Sequence, residues 1–81
     1  MEQIQPLIEQ IYKQIVNSPD AVQIRAIEGD QNTILQLRVD RDDLKFVIGK
    51  KGRTADAVRI ILSAFSAKAQ HRYTLEILEY E

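Results

Sequence analysis

The chain has 81 residues, 44% of them hydrophobic and 28% charged, with eleven basic and twelve acidic side chains and a net charge of −1. This composition fits one folded domain over residues 1–81 with a modest core, and excludes a disordered tail. With no cysteine, a disulfide framework, a thiolate metal site and a cysteine nucleophile are also excluded, and a reducing cytoplasm is the expected location.

The longest apolar runs are three residues, 46–48 and 60–62, far short of a membrane span. Met1, Glu2 and Gln3 lack the basic and then apolar pattern of a secretory leader. Bulk charge gives no hint of nucleic acid, so any such signal has to be local.

Over residues 2–17, Ile4, Leu7, Ile8, Ile11 and Ile15 recur at three- and four-residue spacing and predict one amphipathic helix. Pro6 falls near its first turn, where a missing amide costs little, and Asn17-Ser18-Pro19-Asp20 ends it. Two period-two stretches follow. Val22, Ile24 and Ala26 alternate with Gln23, Arg25 and Ile27; Leu35, Leu37 and Val39 alternate with Ile34, Gln36 and Arg38. Pairing Ala26 with Leu35, Ile24 with Leu37 and Val22 with Val39 puts all six apolar residues on one face and leaves 29–32 as a four-residue turn. Both constraints agree on a hairpin.

Asp42 or Asp43 is placed to cap a short helix carrying Leu44, Val47 and Ile48. A second helix opens after Gly52, with Val58, Ile61, Leu62, Phe65 and Ala69 on its expected buried side. Tyr73, Leu75 and Ile77 then alternate with Thr74, Glu76 and Leu78 as a final strand. The order is α-β-β-α-α-β: an α+β, two-layer fold with a three-stranded sheet covered on one face by helices. On which side of the hairpin the last strand pairs is left open.

The most informative segment is Phe46-Val47-Ile48-Gly49-Lys50-Lys51-Gly52-Arg53. Two glycines three apart join two helices, and glycine accepts positive φ and close backbone approach. The amides of residues 50–53 are expected to point outward at the positive end of the second helix. Lys50, Lys51 and Arg53 add cations, Lys45 lies a turn earlier, and no acid occurs between Lys45 and Ala55. Such a pair of glycines in isolation is most simply a soluble turn between helices. Here the apolar Val47-Ile48, the short-then-long helices and the preceding hairpin favour an anion site, with phosphate as its ligand.

Val47-Ile48-Gly49-Lys50-Lys51-Gly52-Arg53 resembles the signature of the KH domain, whose GXXG loop clamps about four nucleotides of single strand. The element order resembles the bacterial, type II arrangement. Length, together with Arg53-Thr54-Ala55-Asp56-Ala57-Val58-Arg59, makes the chain similar to the small single-domain KhpA family. The resemblance implies that Gly49, Lys50, Lys51 and Gly52 hold the phosphodiester backbone and that Ile48 floors a groove for bases. Arg53 and Arg59 contribute from the helix, and the 29–32 turn borders the groove. It further implies an RNA chaperone or post-transcriptional adaptor that binds single-stranded RNA weakly and with little sequence discrimination, and that uses no cofactor. Self-association, and pairing with a larger KH-containing protein of the Jag/KhpB type, are also implied.

Other chemistries find little support. The residue after Gly52 is Arg53, so the P-loop pattern fails, and a short helix, not a strand, leads into the glycines, against a dinucleotide fold. His71, the sole histidine, reads as an edge residue, not a metal ligand. Glu76, Glu79 and Glu81 read as solvated, and Ser63 and Ser66 have no base nearby. Among Tyr12, Phe46, Phe65, Tyr73 and Tyr80, the inward positions of Phe65 and Tyr73 argue for core and against an aromatic base-stacking platform. No catalytic constellation is visible. The alternative to RNA binding is a protein-pairing module, through Ile27, Ile34, Leu78 and Tyr80 on the outer sheet face or through the exposed sides of the helices.

Overall fold

The computed structural model describes residues 4–79. Its elements are α1 (Ile4–Lys13), β1 (Gln23–Glu28), β2 (Asn32–Arg38), α2 (Leu44–Ile48), α3 (Arg53–Ala69) and β3 (Arg72–Ile77), in the expected α-β-β-α-α-β order. Single 3-10 turns at Pro19–Ala21, Arg41–Asp43 and Lys50–Gly52 connect them. The fold is α+β with a three-stranded mixed sheet, the type II KH arrangement.

The hairpin register follows from side-chain alternation. Ile24 faces Leu37 and Ala26 faces Leu35, and Val22 and Val39, just beyond the strand ends, are both buried. The Gly29 amide donates to the Asn32 carbonyl at 2.7 Å and closes the turn. Strand β3 runs parallel to β2, giving the order β1-β2-β3. Because α3 carries the chain back along the sheet, this parallel crossover needs no extra segment.

Helix α1 departs from the expected stripe. Its buried residues are Ile4, Ile8 and Tyr12, while Leu7 is 51% exposed. At 100° per residue, Ile4, Ile8 and Tyr12 fan over 80° and Leu7 lies about 100° from their centre. Tyr12, which an apolar count omits, fills the core. The helix ends at Lys13, short of residue 17, and Ile15 falls on the turn beyond it, at the edge of exposure. Glu2 and Gln3, in the expected helix, lie outside the described residues.

The cap of the second helical segment is also corrected. Neither Asp42 nor Asp43 caps α2 with its side chain. Asp40 accepts from the Asp42 amide at 2.9 Å and starts the 3-10 turn. Asp43 is buried and turns the other way, accepting from the amides of Asn17 at 3.2 Å and Ser18 at 2.9 Å. One carboxylate thereby ties the segment that follows α1 to the start of α2.

On α3 the buried row is Ala55, Val58 and Leu62, with Phe65 partly buried; Ile61 is 44% exposed and Ala69 is exposed. The helix rests against β3, so only a narrow stripe is covered. On the outer sheet face, Ile27 and Ile34 are opposite each other, but β3 brings Thr74 to that row. The Leu78 amide donates to the Leu37 carbonyl, which sets Leu78 about 13 Å along the sheet from Ile34. The expected apolar patch is therefore not contiguous, and Tyr80 lies outside the described residues.

Candidate nucleic-acid interface

Helix α2 stops at Ile48 because Gly49 takes φ 80°, ψ 168°, a region essentially closed to residues with a Cβ. The Gly49 amide still donates to the Lys45 carbonyl at 3.0 Å, completing the last turn. A Cβ on Gly49 would lie 2.6 Å from the Thr54 amide nitrogen. The first turn of α3 thus comes down directly onto this glycine. Gly52, at φ 76°, ψ 13°, is left-handed too, but a Cβ there would meet nothing within 4 Å. The two glycines are required for different reasons: Gly49 for close approach and conformation, Gly52 for conformation alone.

Between them Lys51 is also left-handed, at φ 58°, ψ 25°, which costs a non-glycine residue about 1–2 kcal/mol. The Gly52 amide donates to the Gly49 carbonyl at 3.0 Å and the Arg53 amide to the Lys50 carbonyl. Of the four amides expected to face a ligand, these two are spent closing the loop. Neither bond uses the amides of Lys50 and Lys51. The side chains of Lys50, Lys51 and Arg53 are exposed around them, with Lys45 one turn back. Val47 is fully buried and Ile48 half-buried against the core, so the loop projects from a fixed base.

The structure divides the sequence-derived residues. Ile48, Gly49, Lys50, Lys51, Gly52 and Arg53 are brought together at the loop. Arg59 is not: it lies about 9 Å further along the α3 axis, with its guanidinium 3.4 Å from the Leu75 carbonyl and 3.8 Å from the Asp56 carboxylate. It begins a separate cleft of about 330 Å³ between α3 and the free edge of β3, walled by Leu62, Ser63, Ser66, Arg72 and Leu75 among others. Ser66 Oγ donates to the Leu62 carbonyl at 2.7 Å and accepts from the Tyr73 amide at 2.9 Å, pinning the edge strand to the helix. The spacing of Ser63 and Ser66 from Arg59, i+4 and i+7, is a polar stripe that marks a cleft wall.

The 29–32 turn is remote from the loop itself and meets the far end of the cleft, at Arg72. The Arg72 amide, just beyond α3, donates to the Gln31 carbonyl at 3.0 Å. The turn therefore sits at the C-terminal end of the 17-residue helix, about 25 Å from its start.

Two further groups shape the surroundings. The Tyr12 hydroxyl lies buried beneath the sheet-facing side of the helices with no hydrogen-bond partner among the described residues. Burial pushes its pKa up to about 12, and the nearby Arg59 charge works against that rise. His71 is 2.7 Å from Thr33 Oγ1 through Nε2 and its ring lies 4.9 Å from that of Tyr73; it braces the sheet end away from the loop. Phe65 meets Tyr73 edge-on at 5.1 Å, so both rings are committed to packing. No helix among the described residues is long and apolar enough to cross a membrane.

Comparison with known proteins is consistent with this architecture. A family model described as KhpA/KhpB, KH domain, matches residues 5–77. The chain is 47% identical over 73 residues to the RNA-binding protein KhpA of Borreliella burgdorferi, covering 90% of this chain and 89% of that one. It is 42% identical over 79 residues to the KhpA of Aquifex aeolicus, covering 98% and 100%, and 44% identical over 73 residues to that of Treponema pallidum, covering 90% and 91%. Among solved structures, the crystal structure of a point variant of Aquifex aeolicus Era, bound to GDP and aluminium fluoride, matches with a TM-score of 0.59 at 17% identity, over 94% of this chain and 29% of that larger one. That last likeness is one of fold. The extent of the family match and the identity to full-length relatives place this protein in the KhpA/KhpB family of KH-domain proteins.

Proposed function

We propose that this chain is a non-catalytic, cytoplasmic RNA-binding protein that docks the backbone of single-stranded RNA on the loop from Gly49 to Arg53 and serves as an RNA chaperone or regulatory adaptor. The observation that carries this reading is the loop itself. Gly49, Lys51 and Gly52 all have positive φ, and three exposed cations surround the amides of Lys50 and Lys51. A concave run of amides at a helix start binds phosphate without reading sequence. The curated relatives named RNA-binding protein KhpA support the same reading. Bases would then follow the cleft past Arg59, where Leu62 and Leu75 offer apolar contact and Ser63 a hydroxyl.

The test is Lys50→Asp combined with Lys51→Asp. Both glycines stay, so the turn survives, but two attractive charges become repulsive. Affinity for a single-stranded RNA pentamer should fall at least tenfold, about 1.4 kcal/mol, with the melting temperature little changed. A folded double variant that binds the pentamer like the parent overturns this site.

One observation favours pairing as well. Ile60 is 70% and Ile61 44% exposed on the outer side of α3, with the exposed Ala57 and Ala64 beside them. Small residues flanking two aliphatics permit close approach of a second copy, and two linked grooves on one RNA raise avidity. A homodimer through α3 fits this better than the broken apolar set on the sheet face, and a larger KH-containing partner of the Jag/KhpB type would use the same strip. Sedimentation equilibrium at micromolar concentration tests it: Ile60→Glu should give a 9.3 kDa monomer, and a parent protein that is already monomeric refutes it.

A further inference from the structure

The cleft beside α3 does not end at the edge of the sheet. Its wall contains residues of both parities of β3: Tyr73 and Leu75, which face the helices, and Arg72 and Thr74, which belong to the outer face. The hollow therefore runs along the free edge of β3, and across that edge lies the side of the sheet that no helix among the described residues covers.

That outer face has a distinctive charge. Its strand positions carry three exposed arginines, Arg25, Arg38 and Arg72, and one carboxylate, Glu76, which accepts from Gln36 Nε2 at 2.7 Å. Neither the Lys13–Glu9 nor the Arg59–Asp56 ion pair involves any of these three arginines. On a chain with net charge −1, this concentrates positive charge on one flat surface. Because Arg25 faces Gln36, Arg25 and Arg38 are diagonal neighbours about 7–8 Å apart at Cα. From Thr74, Arg25 lies two strands in and one row further along the sheet, in the row of Gln36 and Glu76, and Arg38 lies one strand in and two rows further along.

We propose that a single-stranded RNA longer than the stretch held by the loop and cleft continues over β3 at Arg72 and Thr74 onto the outer sheet face, where Arg25 and Arg38 neutralise further phosphates. This rests on the RNA-binding reading of the loop and extends it. The occupant is a polyanion because, among the described residues, the strand positions of this face offer guanidinium groups and amide side chains, no aromatic platform, and a single acid that is already engaged. Guanidinium forks suit phosphate oxygens, and without base-edge geometry the added contact is sequence-independent.

The experiment measures binding of oligouridylate pentamer and 15-mer by fluorescence anisotropy over a series of salt concentrations. The slope is the decisive readout, since the extra binding registers on a longer oligomer raise affinity without altering it. For the parent, the 15-mer slope should be steeper than that of the pentamer by about 1.4, at about 0.7 per phosphate for single strands. Arg25→Gln with Arg38→Gln, both at exposed positions, should bring the 15-mer slope down to that of the pentamer and leave pentamer binding unchanged. Equal slopes for the two lengths in the parent overturn the proposal. So does a double variant whose 15-mer slope is unchanged, or one that weakens both oligomers alike. The loop reading fails separately, through Lys50→Asp with Lys51→Asp leaving pentamer binding intact.

Discussion

Thr54 stands over Gly49 so closely that a methyl group on the glycine would lie 2.6 Å from the Thr54 amide nitrogen and 2.8 Å from its Cβ. This contact fixes how the first turn of α3 seats on the end of α2, and with it the direction in which residues 50–53 project. Gly49→Ala combines that clash with a forbidden φ and should destabilise the domain by about 3 kcal/mol or force the loop open. Gly52→Ala meets no neighbour and should cost about 1 kcal/mol, from its left-handed φ alone. Gly52→Asn should cost less still. Urea unfolding of the three variants checks the ranking, and equal losses at both glycines would refute the asymmetry.

Lys51 holds a left-handed conformation without being glycine, so strain and charge are separable at this position. Lys51→Gly relieves the strain but adds backbone freedom to the unfolded chain, and stability should rise by no more than about 1 kcal/mol. RNA binding should weaken, and its salt slope should drop by about 0.7 as one phosphate contact is lost. A destabilised Lys51→Gly would show that the lysine side chain supports the fold.

The buried Asp43 carboxylate accepts from two backbone amides, those of Asn17 and Ser18. Removing it strands both donors, so Asp43→Ala should cost about 3 kcal/mol. Asp43→Asn keeps one acceptor oxygen and should lose roughly half as much. Chemical denaturation distinguishes the two, and amide exchange should show Asn17 and Ser18 opening first in the alanine variant.

Asp43 also shows where sequence reading stops. Patterns of period two gave the hairpin register residue for residue, because burying one face of a strand fixes which residues oppose each other. The glycines at 49 and 52 marked the loop for the same kind of reason: few residues tolerate those dihedrals. Asp43 has no such signature. An acid ahead of a short helix reads as a cap, and only the fold reveals that two amides 25 and 26 residues away face it. Tyr12 and the cleft were hidden differently. An apolar count ranks Leu7 above a tyrosine, although helix geometry turns Leu7 outward. The stripe of Arg59, Ser63 and Ser66 gains meaning only once β3 is known to pair with β2 and present its free edge to α3.

The Tyr12 hydroxyl supplies a prediction that can be read against pH. It is buried without a hydrogen-bond partner among the described residues, so Tyr12→Phe keeps the ring and removes an unsatisfied group. Stability near neutral pH should rise by about 1 kcal/mol. The sign of the alkaline effect follows from the raised pKa of about 12 in the folded state. An unfolded tyrosine releases its proton near pH 10, while the folded protein holds Tyr12 neutral until about pH 12. Between those values the unfolded state binds fewer protons, so the Tyr12 contribution, complete below pH 10, is lost as pH climbs, by about 1.4 kcal/mol per pH unit. The difference between parent and variant is the useful quantity. Denaturant melts at pH 7 and pH 11 should show the Tyr12→Phe advantage growing by about 1.4 kcal/mol. An advantage that stays constant over that range would mean the hydroxyl reaches solvent or a partner, and that burial does not hold it neutral.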